Sequence, residues 1–473
     1  MAKISSLNAK QKEAIGLLQI GTFLEYFDLM LYVHMAVLLN ELFFPKTDPQ
    51  TAALLSAFAF CSTWVLRPFG ALIFGYIGDR IGRKPTIVIT TIMMAMSCMI
   101  MANLPTYEQI GITAAWIVTL CRIIQGLSSM GEIVGANIYL TEITKPPLRY
   151  MVVALTDTAS SFGGMVALFV ATLATSVQFN WRIAFWVGSA IALAGTMART
   201  TLRETPDFIL FKNSKSKKNQ ARIKVLEEEN GFEFQSKAAP KMLGCYFMMS
   251  CASPLCFFIT YFYCPGVLKN VFGYNTEQCI QQSFIISIFA MISLTVAAVC
   301  SLKIHPLSIL KFKFWMFFPF MFILPHLLEK SAYAVCAVQF MTIVFALAIT
   351  PAYPILYKHI PVLKRFTNAS VIYAVSRAVT YVITSFGIVY ITHIFGHYGL
   401  WIVTIPISMG FYYGVQYFEK IEKKTEKFSS NSECKNSKDL GYKSEPLIPK
   451  IPQIGSKKIA SANSSILRKI DTQ

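Results

Sequence analysis

The stretch Gly75-Tyr76-Ile77-Gly78-Asp79-Arg80-Ile81-Gly82-Arg83-Lys84 sets three glycines, one carboxylate and three cations between two apolar runs. Glycines permit a tight turn and let helices approach closely. Asp79 stands where it can meet a helix N-terminus or a nearby arginine. Arg80, Arg83 and Lys84 hold the stretch out of an apolar phase. The flanking runs, 52–77 and 86–104, are each long enough to cross a hydrocarbon core of about 30 Å. A membrane hairpin is therefore the reading that the rest of the chain must support.

Of the 473 residues, 54% are hydrophobic and 14% charged, with a mean hydropathy of +0.50. Soluble chains have roughly 25% charged residues. Ten further apolar runs can be drawn, at 14–39, 111–141, 151–176, 182–198, 242–264, 277–302, 314–327, 332–357, 367–391 and 398–418. Twelve such runs exclude a soluble enzyme, a secreted disulfide scaffold and a disordered chain. The net charge of +18 invites a nucleic-acid partner, and its placement argues against one. With the N-terminus in the cytoplasm, 36 of the 43 Lys and Arg fall on that side, and the outer loops hold only Lys46, Lys269 and Lys330. That is a positive-inside pattern, with some attraction to anionic headgroups. It predicts both termini in the cytoplasm, a lipid bilayer rather than nucleic acid as partner, and a bacterial inner membrane as the best-fitting location. No cleavable leader is expected, because the first apolar run is of full span length.

The fold class is an all-α membrane protein with twelve transmembrane helices in two six-helix bundles. Residues 1–202 form the first bundle and 242–418 the second. Between them, 203–241 is a polar cytoplasmic loop with a short surface helix expected at 219–230. The tail 419–473 is basic and rich in Ser and Asn; it cannot bury a core, reads as disordered and shows no heptad repeat.

Ionisable residues inside spans are functional candidates by default. Glu25 and Asp28, three apart in span 1, share a helix face. Arg67 lies about 16 Å above the inner end of span 2. Arg122, Gln125, Ser129 and Glu132 form one polar stripe along span 4, span 5 adds Asp157, and the second half contributes only Arg377. A carboxylate in a partly dry cavity can take up a proton, whereas one beside an arginine stays ionised. Glu25 and Asp28 are therefore expected to include a proton site, with Glu132 and Asp157 as further proton-coupling candidates. Arg122, Gln125, Tyr26, Arg67 and Arg377 are candidates for holding cargo. The competing reading is that these charges pair across helices and fix packing. Tyr26, Phe27, Trp64, Tyr139, Tyr261 and Tyr353 would suit a quaternary ammonium, although aromatics in spans more often pack or anchor. His34 reads as a packed core residue, and Cys264 and Cys279 flank one outer loop where pairing is conceivable but unsupported by spacing. Prolines 254, 319, 351, 354 and 406 would kink spans that must move.

The 75–84 stretch resembles the signature loop of the major facilitator superfamily almost residue for residue. In that family the loop is a conformational latch between the halves; the resemblance carries that role to Gly75, Gly78, Asp79, Arg80, Gly82 and Arg83. Gly21-Thr22-Phe23-Leu24-Glu25-Tyr26-Phe27-Asp28 is similar to the first span of the metabolite:proton symporters, whose best-known branch carries proline and betaine. Arg67-Pro68-Phe69-Gly70, Arg122-Ile123-Ile124-Gln125-Gly126 with Gly131-Glu132, Trp181-Arg182-Ile183-Ala184-Phe185 and Arg203-Glu204-Thr205-Pro206-Asp207-Phe208 extend the likeness over residues 21–208. The second half departs from it. Lys303-Ile304-His305-Pro306 lacks the Asp and Gly of a repeated loop, and Tyr373-Ala374 stands where the family tends to have Tyr-Asn.

The resemblance implies a proton-coupled importer of a small zwitterionic or anionic metabolite such as proline or betaine, working by alternating access as a monomer. Organic acids with one to three carboxylates, or a transporter-derived sensor without net flux, are the alternatives. The residues show no metal cluster, phosphate-binding glycine loop or nucleophile–base pair, so neither a cofactor, a metal nor an enzymatic step is expected.

Overall fold

Inside a bilayer every backbone N–H and C=O needs a partner within the protein, and a helix supplies one turn by turn. The apolar runs fold accordingly in the computed structural model, which describes residues 7–44, 49–174, 180–214, 219–220, 223 and 239–439. The first half comprises α1 (Ala9–Phe43), α2 (Pro49–Arg80), α3 (Arg83–Asn103), α4 (Ile112–Ile143), α5 (Leu148–Ala174) and α6 (Trp181–Arg199). The second comprises α7 (Pro240–Asn270), α8 (Thr276–Cys300), α9 (Pro306–Lys330), α10a (Ala332–Val344) with α10b (Tyr353–Lys358), α11 (Val362–Val382, continued by Val389–Phe395) and α12 (Leu400–Asp439). Among the described residues there is no strand.

Within the unit Met1–Glu426, α1 packs on α5, α2 on α4 and α3 on α6. The halves meet along two seams, α2 on α11 and α5 on α8. Without water to drive helices together, close backbone approach carries such packing. Gly163 on α5 sits so tightly against the Phe23 carbonyl that an added Cβ would lie 2.1 Å from it, and Gly70 meets the Leu127 backbone in the same way. On the opposite side α8 exposes Ile285, Phe289, Ile292, Val296 and Val299, an apolar flank suited to lipid.

Three departures from regular helix follow from local sequence. The tenth run, read as one span over 332–357, is broken: α10a ends at Val344, α10b begins at Tyr353, and Thr350-Pro351 lies in between. Proline cannot donate to a helix and disfavours helical backbone in the residue before it. Beyond Pro254, α7 widens into a π turn at Ile259–Tyr263, and α11 does so at Ile383–Ile388. Such turns often mark functional positions. Among the described residues eight stretches are long and apolar enough to cross a membrane; one of them, Val362–Thr425, takes in α11 and the first part of α12, while α2, α6 and the broken α10 are not among the eight.

The last span, expected to end at 418, continues as helix to Asp439. Its extension is tied down at its start, where Glu419 accepts from Lys311 and the Glu422 carboxylate lies 2.8 Å from His359 Nε2 and 3.5 Å from Lys358 Nζ. The stretch 224–238 of the polar loop, with most of the expected 219–230 helix, and the tail from 440 onward lie outside the described residues, as does the side chain of His34. Cys264 and Cys279 are both free thiols.

Candidate functional site

The 75–84 stretch lies where the two halves touch at the basic face. Asp79, ending α2, accepts hydrogen bonds from the backbone N–H groups of Phe366 (3.0 Å) and Thr367 (2.9 Å) in the first turns of α11. Arg83 donates to the Val362 carbonyl at 2.6 Å, to the Gly78 carbonyl at 2.7 Å and to Glu142 at 3.2 Å. Glu142, buried at the end of α4, also accepts from Arg365 of α11 (2.9 Å) and from the Thr205 hydroxyl. Gly75 and Gly78 let α11 come this close: a Cβ there would lie 2.7 Å from the Thr367 Cα or 2.5 Å from the Phe366 ring. Gly82 has φ +147°, and Glu204 accepts from the N–H groups of Arg83 and Lys84 at the start of α3. Arg80 is exposed and stacks on Tyr76, outside the seam.

A second set of charges is buried within the first half. Glu25 on α1 pairs with Arg67 on α2 at 3.1 Å, and Arg67 covers the Trp64 ring at 3.9 Å. Asp28 lies 3.9 Å from Arg122 and accepts from the Cys98 thiol, while Arg122 also donates to Gln125 at 2.8 Å. Glu132 accepts from Arg199 at 2.5 Å and from the Thr90 and Thr91 hydroxyls. These carboxylates are compensated by arginines of neighbouring helices, as buried charges must be.

Between the halves lies a cavity of about 400 Å³, toward the lower end of the size range of small-molecule sites. Its polar wall is made by Asp157 of α5, Lys313 of α9 and Arg377 of α11, with Ser160, Ser161 and Ser253 nearby. Tyr26, Phe257, Tyr261 and Tyr353 supply aromatic surface. Asp157 accepts a hydrogen bond from Thr350, in the break of α10, so this contact crosses from one half to the other. The Tyr26 and Tyr373 hydroxyls, 3.4 Å apart, form a second crossing. The Arg377 guanidinium carbon lies over the Tyr373 ring, 3.3 Å from its centroid.

The structure thus brings Tyr26, Asp157 and Arg377 of the sequence candidates to one cavity, with Tyr261 and Tyr353 of the aromatic set; Phe27, Trp64 and Tyr139 do not line it. Glu25, Asp28, Arg67, Arg122, Gln125 and Glu132 are gathered instead in the ion pairs of the first half and do not line it. Two buried cations fall just outside the apolar runs because the helices extend past them, by eight residues at the start of α9 and by one at the end of α6. Lys313, counted with the cytoplasmic cations when span 9 began at 314, lies two turns inside α9 on the cavity wall. Arg199, counted just past a span ending at 198, closes α6 and neutralises Glu132. The second half therefore contributes three buried cations, Lys313, Arg365 and Arg377, rather than Arg377 alone. A helix start at Pro306 is the signal that would have placed Lys313 inside the span.

Two helical bundles with a cavity between them and a hydrogen-bonded seam joining them define an integral membrane protein of the transporter-fold class. Residues 18–383 match the Major Facilitator Superfamily, and the chain belongs to that family. It is 26% identical over 278 residues to the proline/betaine transporter of Salmonella typhimurium, covering 57% of this chain and 55% of that protein. It is 35% identical over 210 residues to the inner membrane metabolite transport protein YhjE of Escherichia coli, covering 43% of this chain and 48% of the relative. The matched stretch spans about half the length of these relatives. Among solved structures, the proton:xylose symporter XylE bound to 6-bromo-6-deoxy-D-glucose superposes with a TM-score of 0.70 at 15% identity, over 87% of this chain and 96% of XylE. The human organic anion transporter MFSD10 superposes with a TM-score of 0.55 at 14% identity, over 87% of this chain and all of that one. These two likenesses establish the fold.

Proposed function

We propose that the chain is a secondary transporter that carries a small anionic or zwitterionic metabolite into the cell together with a proton, by alternating access, with both termini in the cytoplasm of a bacterium. The observation that carries this reading is the position of Asp157. It is a buried carboxylate on the wall of the cavity between the halves, and its hydrogen-bond partner Thr350 belongs to the opposite half. A proton arriving on Asp157 removes the charge that Lys313 and Arg377 face, and changes a bond between the two moving bodies. One group then senses proton, cargo and conformation together. Glu25 and Asp28 lack this position, since arginines of their own half hold them. The seam of Asp79, Arg83, Glu142 and Arg365 is the latch that opens when the basic face becomes the exit.

The names of the relatives favour proline or betaine as cargo. Lys313 and Arg377 on the wall of one cavity favour an organic acid, because two cations attract carboxylates and repel a quaternary ammonium. The deciding experiment is uptake of labelled proline, betaine and a dicarboxylate into proteoliposomes, with and without an inward proton gradient. Accumulation of one of them that a protonophore abolishes is the expected result. Equal, gradient-independent entry of all three would overturn the reading.

A further inference from the structure

We propose that the cavity is a receptor for a small organic dianion, with Lys313 and Arg377 each taking one of its anionic groups; the inference rests on the transport reading above for the role it gives the proton. Lys313 is only 6% exposed, two turns inside an apolar helix, and makes no hydrogen bond or ion pair with any described residue. An ammonium left so is costly unless something supplies opposite charge. Among the described residues that line the cavity, Asp157 is the one carboxylate, and Thr350 already engages it. Arg377, over the Tyr373 ring, likewise has no carboxylate of its own among the described residues. The site therefore offers two cations to one acid.

Charge balance then selects the cargo. With Asp157 ionised the wall carries one net positive charge, and with Asp157 protonated it carries two. The other titratable groups lining the cavity are Tyr353 of α10b, Tyr26 of α1, Cys256 and Tyr261 of α7 and Cys279 of α8, which are uncharged at neutral pH in their ordinary state. A zwitterion leaves a surplus positive charge in either case. A monoanion reaches neutrality only while Asp157 stays ionised, so it cannot be balanced with the proton in place. A dianion is balanced only when Asp157 holds the proton. In that step a proton from the outer solution forms an O–H bond on the Asp157 carboxylate, the cargo's negative charge takes its place opposite Lys313 and Arg377, and the same O–H bond breaks to give up the proton when the cargo leaves. Phe257, Phe262, Met165 and Leu168 fill the remaining wall and suit a short carbon skeleton between the two charged ends.

The test uses the full-length protein, purified for thermal-shift binding and reconstituted for uptake. The probes are succinate, glycerol 3-phosphate, lactate, proline and betaine. At least one of the first two should raise Tm and accumulate under an inward proton gradient, and which one does so tells a dicarboxylate from a phosphate monoester. Lys313→Gln should weaken that dianion about tenfold or more and lactate less than about threefold, whereas Lys313→Arg should retain the dianion. Lys303→Gln, exposed on the α8–α9 connection, should change neither. Failure of both dianions to bind at millimolar concentration overturns the proposal. So does binding of proline or betaine without either dianion, or an equal loss of lactate and dianion in Lys313→Gln. Dianion binding without gradient-driven uptake keeps this site and removes the transport reading instead. If Lys313→Gln fails to fold, binding to the unaltered protein and to Lys313→Arg decides.

Discussion

The hydroxyl of Thr350, in the break of the tenth span, donates a hydrogen bond to the carboxylate of Asp157 on α5, joining the unwound backbone of one half to the cavity wall of the other. Had the tenth span run on as unbroken helix through Thr350, that residue would be one more turn of α10. The proline after it prevents that and frees the chain to bring the Thr350 hydroxyl to Asp157.

Replacing Asp157 with Asn mimics the protonated acid, removing the charge while leaving an oxygen that still accepts from Thr350. Gradient-driven accumulation should be lost, while exchange of cargo across the membrane without a gradient should persist. Counterflow and net uptake, measured on the same vesicles, separate the two.

Thr350→Val keeps the shape of the side chain and removes its donor. The proton should then bind Asp157 more readily, because the hydrogen bond to the charged form favours that form. The pH profile of uptake should shift toward higher pH, with little change in Tm. A shift in the opposite direction would show that the bond serves the protonated state.

Glu25→Gln with Asp28→Asn tests the reading that placed the proton in span 1. Both acids are ion-paired within the first half, so the double variant should still couple uptake to protons. Its cost should appear in stability, since Arg67 and Arg122 lose their counter-charges. Loss of coupling at normal stability would return the proton site to span 1.

Glu132→Gln leaves Arg199 buried without its carboxylate, and should destabilise the protein by about 3–5 kcal/mol, the usual penalty for breaking a buried pair. Adding Arg199→Met removes the orphaned charge and should recover most of the lost Tm. Thermal unfolding of the two variants in one detergent checks both statements.

Asp79→Asn and Gly75→Ala both attack the basic-face seam from its α2 side. The first removes the charge that accepts the Phe366 and Thr367 N–H groups; the second inserts a Cβ 2.7 Å from the Thr367 Cα. Both should part α2 from α11 and raise the thiol-reagent labelling of a cysteine placed at Thr367. Unchanged labelling in both would show that the seam is not held by these contacts.

Much of the fold was legible because a bilayer leaves the chain few options. Apolar runs of span length must be helices, cations must gather on one side, and the 75–84 stretch has one known kind of use. The seam around it was half legible: Asp79 and Arg83 announce themselves, whereas Glu142, Arg365 and Thr205 come from distant segments that only packing brings to Arg83. The ionic residues of the first half were visible as a set, and their pairing was not, because an ion pair depends on which helix faces which.

The amino-acid order alone determined the membrane class, the two bundles and the resemblance that names the family, since each depends on local composition and short motifs. The tertiary structure decided which charges pair with each other and which converge on the cavity between the halves. Glu25, Asp28 and Glu132 are paired with arginines of adjoining helices, while Asp157, Lys313 and Arg377, scattered over three spans and both halves, converge on one cavity. Convergence of that kind is a property of helix rotation and register, which hydropathy does not record.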